Sequence, residues 1–205
     1  TNLALIEIPS VEEIKRACFA IHADKTAGPD GFSVCFFQSN WELVGPQVII
    51  EVQSFFSSAF MPKSINLTHI RLIPKIKSPP KMVDYRPIAL CSVFYKIIAK
   101  LLAKRVQPIL QDIISDNQLA FVPKRAITDN VLITHEVLHY LKTSKAKETC
   151  YMAVKTDMSK AYDRLEWGFI QAVLSRMGFH TLWISWIMQC ISSVSYSFLL
   201  NGTTL

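Results

Sequence analysis

The 205 residues contain no Cys-x-x-Cys pair, and the five cysteines (Cys18, Cys35, Cys91, Cys150 and Cys190) are odd in number and widely spaced. That argues against a disulfide framework or a zinc knuckle and fits a reducing compartment. The first ten residues have no basic stretch leading into an apolar one, so no secretory signal is visible. The sequence does not begin with Met, which suggests that its start is not a natural one. Internal repeats, low-complexity tracts and an evident linker are also missing. Residues 181–200 lack any charge, which raises a membrane-spanning helix. The pattern changes within that stretch, however. Leu182, Trp183, Trp186, Ile187 and Cys190 have helical spacing, whereas Val194, Tyr196 and Phe198 alternate with serines. A short helix followed by a strand accounts for it better, and no membrane partner is expected.

Acidic residues are scarce in one place. Residues 61–105 hold ten basic side chains (Lys63, Arg71, Lys75, Lys77, Lys81, Arg86, Lys96, Lys100, Lys104 and Arg105) and one acid, Asp84. The segment therefore carries +9 of a net +6, and the remainder is −3. Concentrated positive charge implies a polyanionic partner, most often nucleic acid, with a solvated basic surface as the alternative. Half of the residues are hydrophobic and 19% are charged, enough for one sizeable core or two small ones.

Local signals give a coarse map. Ser10 with Glu13 reads as a capping box, followed by Val11, Ile14, Ala17, Cys18 and Ile21 at helical spacing. Residues 27–31 (Ala-Gly-Pro-Asp-Gly) form a turn cluster. Residues 32–60 are expected to be helical in two pieces broken at Gly45-Pro46. Leu67–Ile73 is a plausible strand ending at Pro74, and residues 76–84 are a basic, Pro-rich loop. Phe94, Ile97, Ile98, Leu101 and Leu102 mark an amphipathic helix. Asp129 is expected to cap a helix reaching about Lys142.

Three segments have chemistry to offer. Cys150, Met152 and Val154 alternate with Tyr151, Ala153 and Lys155, the period of a strand, and Asp157 follows where that strand gives out. A helix is expected from about Leu165. An aspartate at a strand end suits a hard cation such as magnesium, although a helix N-cap explains it too. Asp163 is six residues further on, a spacing not diagnostic of a two-carboxylate site. Lys75 and Arg86 flank the basic loop on two expected strand ends, where a point charge and a bidentate fork suit a triphosphate. His135-Glu136-Val137-Leu138-His139 matches His-Glu-x-x-His on an expected helix. A zinc protease needs a third ligand opposite, and no His follows at the spacing of the longer motif. An ordinary half-exposed helix face is the stronger reading.

Taken together, these runs resemble the reverse transcriptase domain of plant LINE-type non-LTR retrotransposons. The matching segments are Lys25–Phe32, Leu72–Lys75, Asp84–Leu90, Tyr95–Lys100, Gln118–Arg125, Asp129–Leu132 and Lys155–Trp167, in the family's order and spacing over nearly the whole chain. The resemblance implies an α+β fold: right-hand polymerase fingers over residues 1–148 and the first part of the palm over 149–205. Helices would pack on a small, incomplete antiparallel sheet. It implies RNA-directed DNA polymerase activity with RNA template, DNA primer and deoxynucleoside triphosphates as partners, two Mg2+ ions as cofactors, and a nuclear location. By the same resemblance, Asp157 is the first catalytic aspartate, with the Met158 carbonyl beside it on the metal. Tyr162 is the steric gate at the sugar 2′ position. Lys75 and Arg86 hold the triphosphate, and Gln118 and Arg125 lie near the template. The family has a small residue, often Gly, where Lys124 stands, so either a positive φ at a lysine or an added phosphate contact is implied there.

Two of the family's segments are missing. The chain has no Asp-Asp pair anywhere and no Arg-Gln-Gly-Asp-Pro run. Asn201-Gly202 is a strong hairpin signal with only three residues after it. The expectation is a fragment that lacks the second and third catalytic aspartates and is inactive alone, with Val194–Leu200 as an exposed apolar edge prone to aggregate. The rival expectation is a non-catalytic nucleic-acid-binding remnant.

Overall fold

The computed structural model describes residues 2–145, 151–158, 160–200 and 203–204. Among these residues there are eight α-helices: α1 (Asn2–Ile6), α2 (Val11–Phe19), α3 (Val34–Ser39), α4 (Trp41–Ser58), α5 (Val93–Ile113), α6 (Ile127–Thr143), α7 (Trp167–Arg176) and α8 (Thr181–Ser192). Four strands are β1 (Leu67–Pro74), β2 (Tyr85–Cys91), β3 (Ser195–Leu200) and β4 (Thr203–Thr204). The chain divides into two compact units: residues 1–105 with 167–205, and residues 106–166.

The larger unit is a sheet of order β2-β1-β3-β4 with helices around it. The α+β expectation holds. Antiparallel pairing holds for β1 with β2 and for β3 with β4, while β1 and β3 run parallel. Parallel neighbours need a long crossover, and the intervening chain supplies it. This pairing is also why residues 167–205 join the first unit. β3 is thus not a lone edge: β1 lines one side, and β4 pairs Leu199 and Leu200 on the other. Tyr196 and Phe198 nonetheless remain about half exposed.

The core of this unit is aromatic. Trp183 and Trp186 of α8 and Phe55 and Phe56 of α4 are buried, and Phe56 meets Trp186 edge-on at 4.7 Å. Side chains of this size each contribute about 1.5–3 kcal/mol on burial. Buried Ile97, Ile98, Leu101 and Leu102 confirm the apolar face expected of α5. Asn66, 1% exposed, donates to the Cys190 carbonyl (3.3 Å) and to Ser193 Oγ (2.8 Å), tying the start of β1 to the α8–β3 turn.

Two local expectations change. The capping box is half formed: Ser10 Oγ accepts the Glu13 N–H, but the Glu13 carboxylate is held by Arg105 at 2.9 and 3.0 Å. Arg105 also donates to the carbonyls of Leu5 and Glu7 and lies over the Phe56 ring, so α5 anchors the N-terminal segment. The helix break falls at Asn40 instead of Gly45-Pro46. Pro46 sits in the second turn of α4, where it removes one hydrogen bond. Burial of Trp41, Val48, Val52, Phe55 and Phe56 along a continuous α4 outweighs that loss. Gly45 is required because a Cβ there would stand 2.8 Å from the Trp41 ring.

The expected turn cluster is locked in place. A Cβ at Gly28 would stand 2.6 Å from the backbone of Cys91 and Ser92, and Lys96 Nζ donates to the Thr26 carbonyl at 2.6 Å.

The smaller unit comprises the end of α5, the loop 114–126, α6, the segment 151–158 and a 3₁₀ turn at Tyr162–Arg164. α6 buries none of its side chains. It begins two residues before Asp129, which lies in its first turn without capping it, where a carboxylate faces the positive helix end. The strand expected over 150–155 does not form among the described residues; Cys150 lies outside them. Tyr151, Met152 and Val154 are 65–85% exposed, and the four-stranded sheet gives them no neighbour. Alternation alone cannot satisfy a strand's backbone groups without a partner.

Candidate functional site

The β1–β2 hairpin positions the basic pair. Ile73 faces Arg86 and Pro74 faces Tyr85, and the ladder continues as the Lys75 N–H donates to the Asp84 carbonyl at 2.7 Å. Lys75 and Arg86 therefore lie on adjoining strands at one end of the sheet, as the spacing suggests. Lys75 Nζ donates to the Val83 carbonyl at 2.7 Å. Exposed Arg86 has no ion-pair partner among the described residues, so its fork is free for an anion. Asp84, the only acid of the basic segment, accepts the Lys81 N–H and shapes the loop. Register puts His69, Arg71, Ile73, Arg86, Ile88 and Leu90 on one sheet face, and His69 Nδ1 is 2.5 Å from Ser197 Oγ. That contact joins residues 128 apart, and no local signal reveals it.

Asp157 and Met158 lie on the exposed, irregular segment 151–158. The Asp157 carboxylate has no partner among the described residues. Residues 153–156 and α6 line an open groove of about 820 Å³, mostly with apolar side chains such as Val131, Leu138 and Val154. Tyr162 opens the 3₁₀ turn, and its side chain lies outside what is described. An Asp carboxylate and a backbone carbonyl are the right donors for a hard divalent cation. Among the described residues, though, no group of three His, Cys, Asp or Glu stands together to hold one. The donors fit in kind and form an incomplete set.

The same observation bears on His135 and His139. Both lie on exposed turns of α6, and no third ligand joins them among the described residues. Among those residues, too, no helix is long and apolar enough to cross a membrane.

The loop 114–126 turns one expected contact inward. Arg125 is only 14% exposed and donates to the carbonyls of Ile114, Ser115 and Gln118 and to Asp116 Oδ1. Its guanidinium ties the end of α5 to the loop. Exposed Gln118 donates to the Ala120 carbonyl. Leu119 and Val122 are buried, while Phe121 is 87% exposed. Phe121 and Lys124 both have φ of +65°, a left-handed conformation costing about 1–2 kcal/mol for a residue other than glycine. At Lys124 the positive φ is one of the two alternatives that the resemblance implied; Phe121 was missed, because exposure of one aromatic leaves no mark in periodicity.

The family model described as reverse transcriptase (RNA-dependent DNA polymerase) matches residues 73–204, more than half of the chain. The chain belongs to the reverse transcriptase family. Among curated relatives it is similar to the transposon TX1 uncharacterized 149 kDa protein of Xenopus laevis, 26% identical over 94% of this chain and 15% of the relative. It is 31% identical to the retrovirus-related Pol polyprotein from type-2 retrotransposable element R2DM of Drosophila melanogaster, over 58% of the chain and 11% of the relative. The probable RNA-directed DNA polymerase from transposon BS of the same fly is 29% identical over 76% of the chain and 17% of the relative. The chain thus spans less than a fifth of the length of each of these transposon proteins, none of which is from a plant. Reverse transcriptases work with divalent metal ions and with nucleic acid and nucleotide substrates.

Proposed function

We propose that this chain is the fingers and the first part of the palm of a retroelement's RNA-directed DNA polymerase, of the LINE type seen in plants. The match to the reverse transcriptase model over residues 73–204 carries the reading, and the basic hairpin end at Lys75 and Arg86 supports it. In the intact polymerase RNA is the template, DNA the primer and deoxynucleoside triphosphates the substrates. Nucleotide addition is an in-line displacement on phosphorus, which a protein promotes by positioning and charge compensation. Arg86 holds triphosphate oxygens bidentately, and Lys75 follows them as a mobile charge. Asp157 and the Met158 carbonyl are the oxygens this chain offers to Mg2+, of which two ions serve the complete site; the metal neutralises developing charge when bound. Tyr162 limits space at the sugar 2′ position, and Gln118 lies along the template. Arg125 acts there by building the loop. Residues 1–148 are the fingers-like part, residues 149–205 belong to the palm, and the intact protein works in the nucleus.

The test is equilibrium binding of a fluorescent deoxynucleoside triphosphate to the chain with Mg2+. Arg86→Ala should weaken binding about tenfold, the value of one charge-assisted contact, and Arg86→Lys should recover part of it. Equal binding by wild type and Arg86→Ala would sink the assignment. A second reading, a nucleic-acid-binding remnant without catalysis, draws on the ten basic side chains and one acid of residues 61–105. It predicts binding of an RNA–DNA duplex with no nucleotide bound.

A further inference from the structure

We propose that the loop 114–126 is a landing site for single-stranded nucleic acid, with Phe121 stacking on a base and Lys124 meeting a neighbouring phosphate. The inference rests on the polymerase reading and names a contact within it. Phe121 is the most exposed aromatic side chain among the described residues. It is not loose: Leu119 and Val122 on either side are buried. Arg125 makes four hydrogen bonds beneath the loop, and Gln111 Nε2 donates to the Pro123 carbonyl at 3.1 Å. The loop therefore holds an apolar ring in water, on a backbone whose φ of +65° disfavours any side chain. Strain that the surroundings enforce concentrates at functional positions.

The neighbouring charge selects the occupant. Lys124 is exposed and unpaired among the described residues, and the nearby acid Asp116 is tied to Arg125. An exposed ring beside an unpaired cation, on a rigid loop, is the pairing that binds single strands without reading sequence. A base stacked inside a duplex offers no face to the ring, so the site discriminates against duplex.

The experiment is fluorescence anisotropy of the whole chain with labelled 12-nucleotide RNA and DNA single strands and a blunt RNA–DNA duplex. Phe121→Ala should weaken single-strand binding about tenfold, Phe121→Trp should restore it, and duplex binding should hardly change. Lys124→Ala keeps the backbone cost and should lower the salt slope by about 0.7. Phe121→Gly relieves the positive φ, so it should melt no lower than wild type while binding as poorly as Phe121→Ala, which separates contact from folding. Wild-type affinity of Phe121→Ala for single strands would overturn this site alone. A wild-type chain that binds neither single strand nor duplex would overturn the polymerase reading together with it.

Discussion

Single side chains in this molecule answer to burial more than to their own chemistry. Cys18 and Cys190 are closed into the larger unit, and loss of solvent pushes their thiols up, Cys18 from 9.0 to about 11 and Cys190 to about 12. Cys91 moves the same way, again through burial, partly opposed by nearby Lys96. Cys35 is exposed. Below pH 9 the folded and unfolded chains both keep the buried protons. Between 9 and about 11–12 the unfolded chain releases them while the folded one holds them, so stability is lost as pH rises through that window. The loss is on the order of 1 kcal/mol per pH unit for each thiol. Guanidinium unfolding at pH 8 and pH 10.5 reads it: wild type should lose more than Cys18→Ala over that interval. Equal losses would mean that Cys18 is not desolvated as described. Arg105 and Arg125 teach the same lesson. Both are basic residues in a family that works on nucleic acid, yet each has its guanidinium spent on carbonyls and one carboxylate of its own unit.

At the scale of elements, local pattern and partner contribute separately. α2, α5 and α8 formed where spacing placed them, because an amphipathic helix satisfies its own backbone and needs only an apolar neighbour. α4 continued through Pro46 because five large side chains are buried along it. The segment 151–158 has the alternation of a strand and remained irregular, since ladder bonds must come from elsewhere. The loop 114–126 shows the reverse: tertiary hydrogen bonds through Arg125 impose a conformation that local preference resists. Lys124→Gly should therefore stabilise the chain by about 0.5–1 kcal/mol, the left-handed penalty less the entropy of a freer unfolded chain. Lys124→Ala should be neutral within about 0.5 kcal/mol, since alanine has the same backbone cost. Urea midpoints of the three proteins decide it, and a destabilised glycine variant would mean that the lysine side chain holds the loop.

At the scale of the whole chain, charge and active groups are unevenly shared. On the proposed reading, the +9 of residues 61–105 makes nucleic-acid binding strongly salt-dependent. The proposed catalysis asks for more: if Asp157 is one ligand of a two-metal displacement, further carboxylates must join it, and no Asp-Asp pair occurs in these residues. The 205-residue chain should bind an RNA–DNA primer-template at low salt, lose affinity steeply with added salt, and incorporate no nucleotide at any Mg2+ concentration. Gel-resolved primer extension checks this. Robust extension would show that the carboxylates present suffice, and salt-insensitive binding would remove the basic segment from the interface.

Sequence by itself determined the family, the basic hairpin with Lys75 and Arg86 at its end, and the faces of α2, α5 and α8. These are properties of a few consecutive residues, where periodicity, turn chemistry and motif spacing act directly. Only the tertiary structure decided the parallel pairing of β1 with β3, the return of residues 167–205 to the first unit and the inward turn of Arg125. The contact of His69 with Ser197, the irregular course of 151–158 and the outward Phe121 belong with them. Each depends on which groups meet across long stretches of chain. That is a matter of competing partners for the same hydrogen bonds and the same buried surface, and local pattern is silent about it.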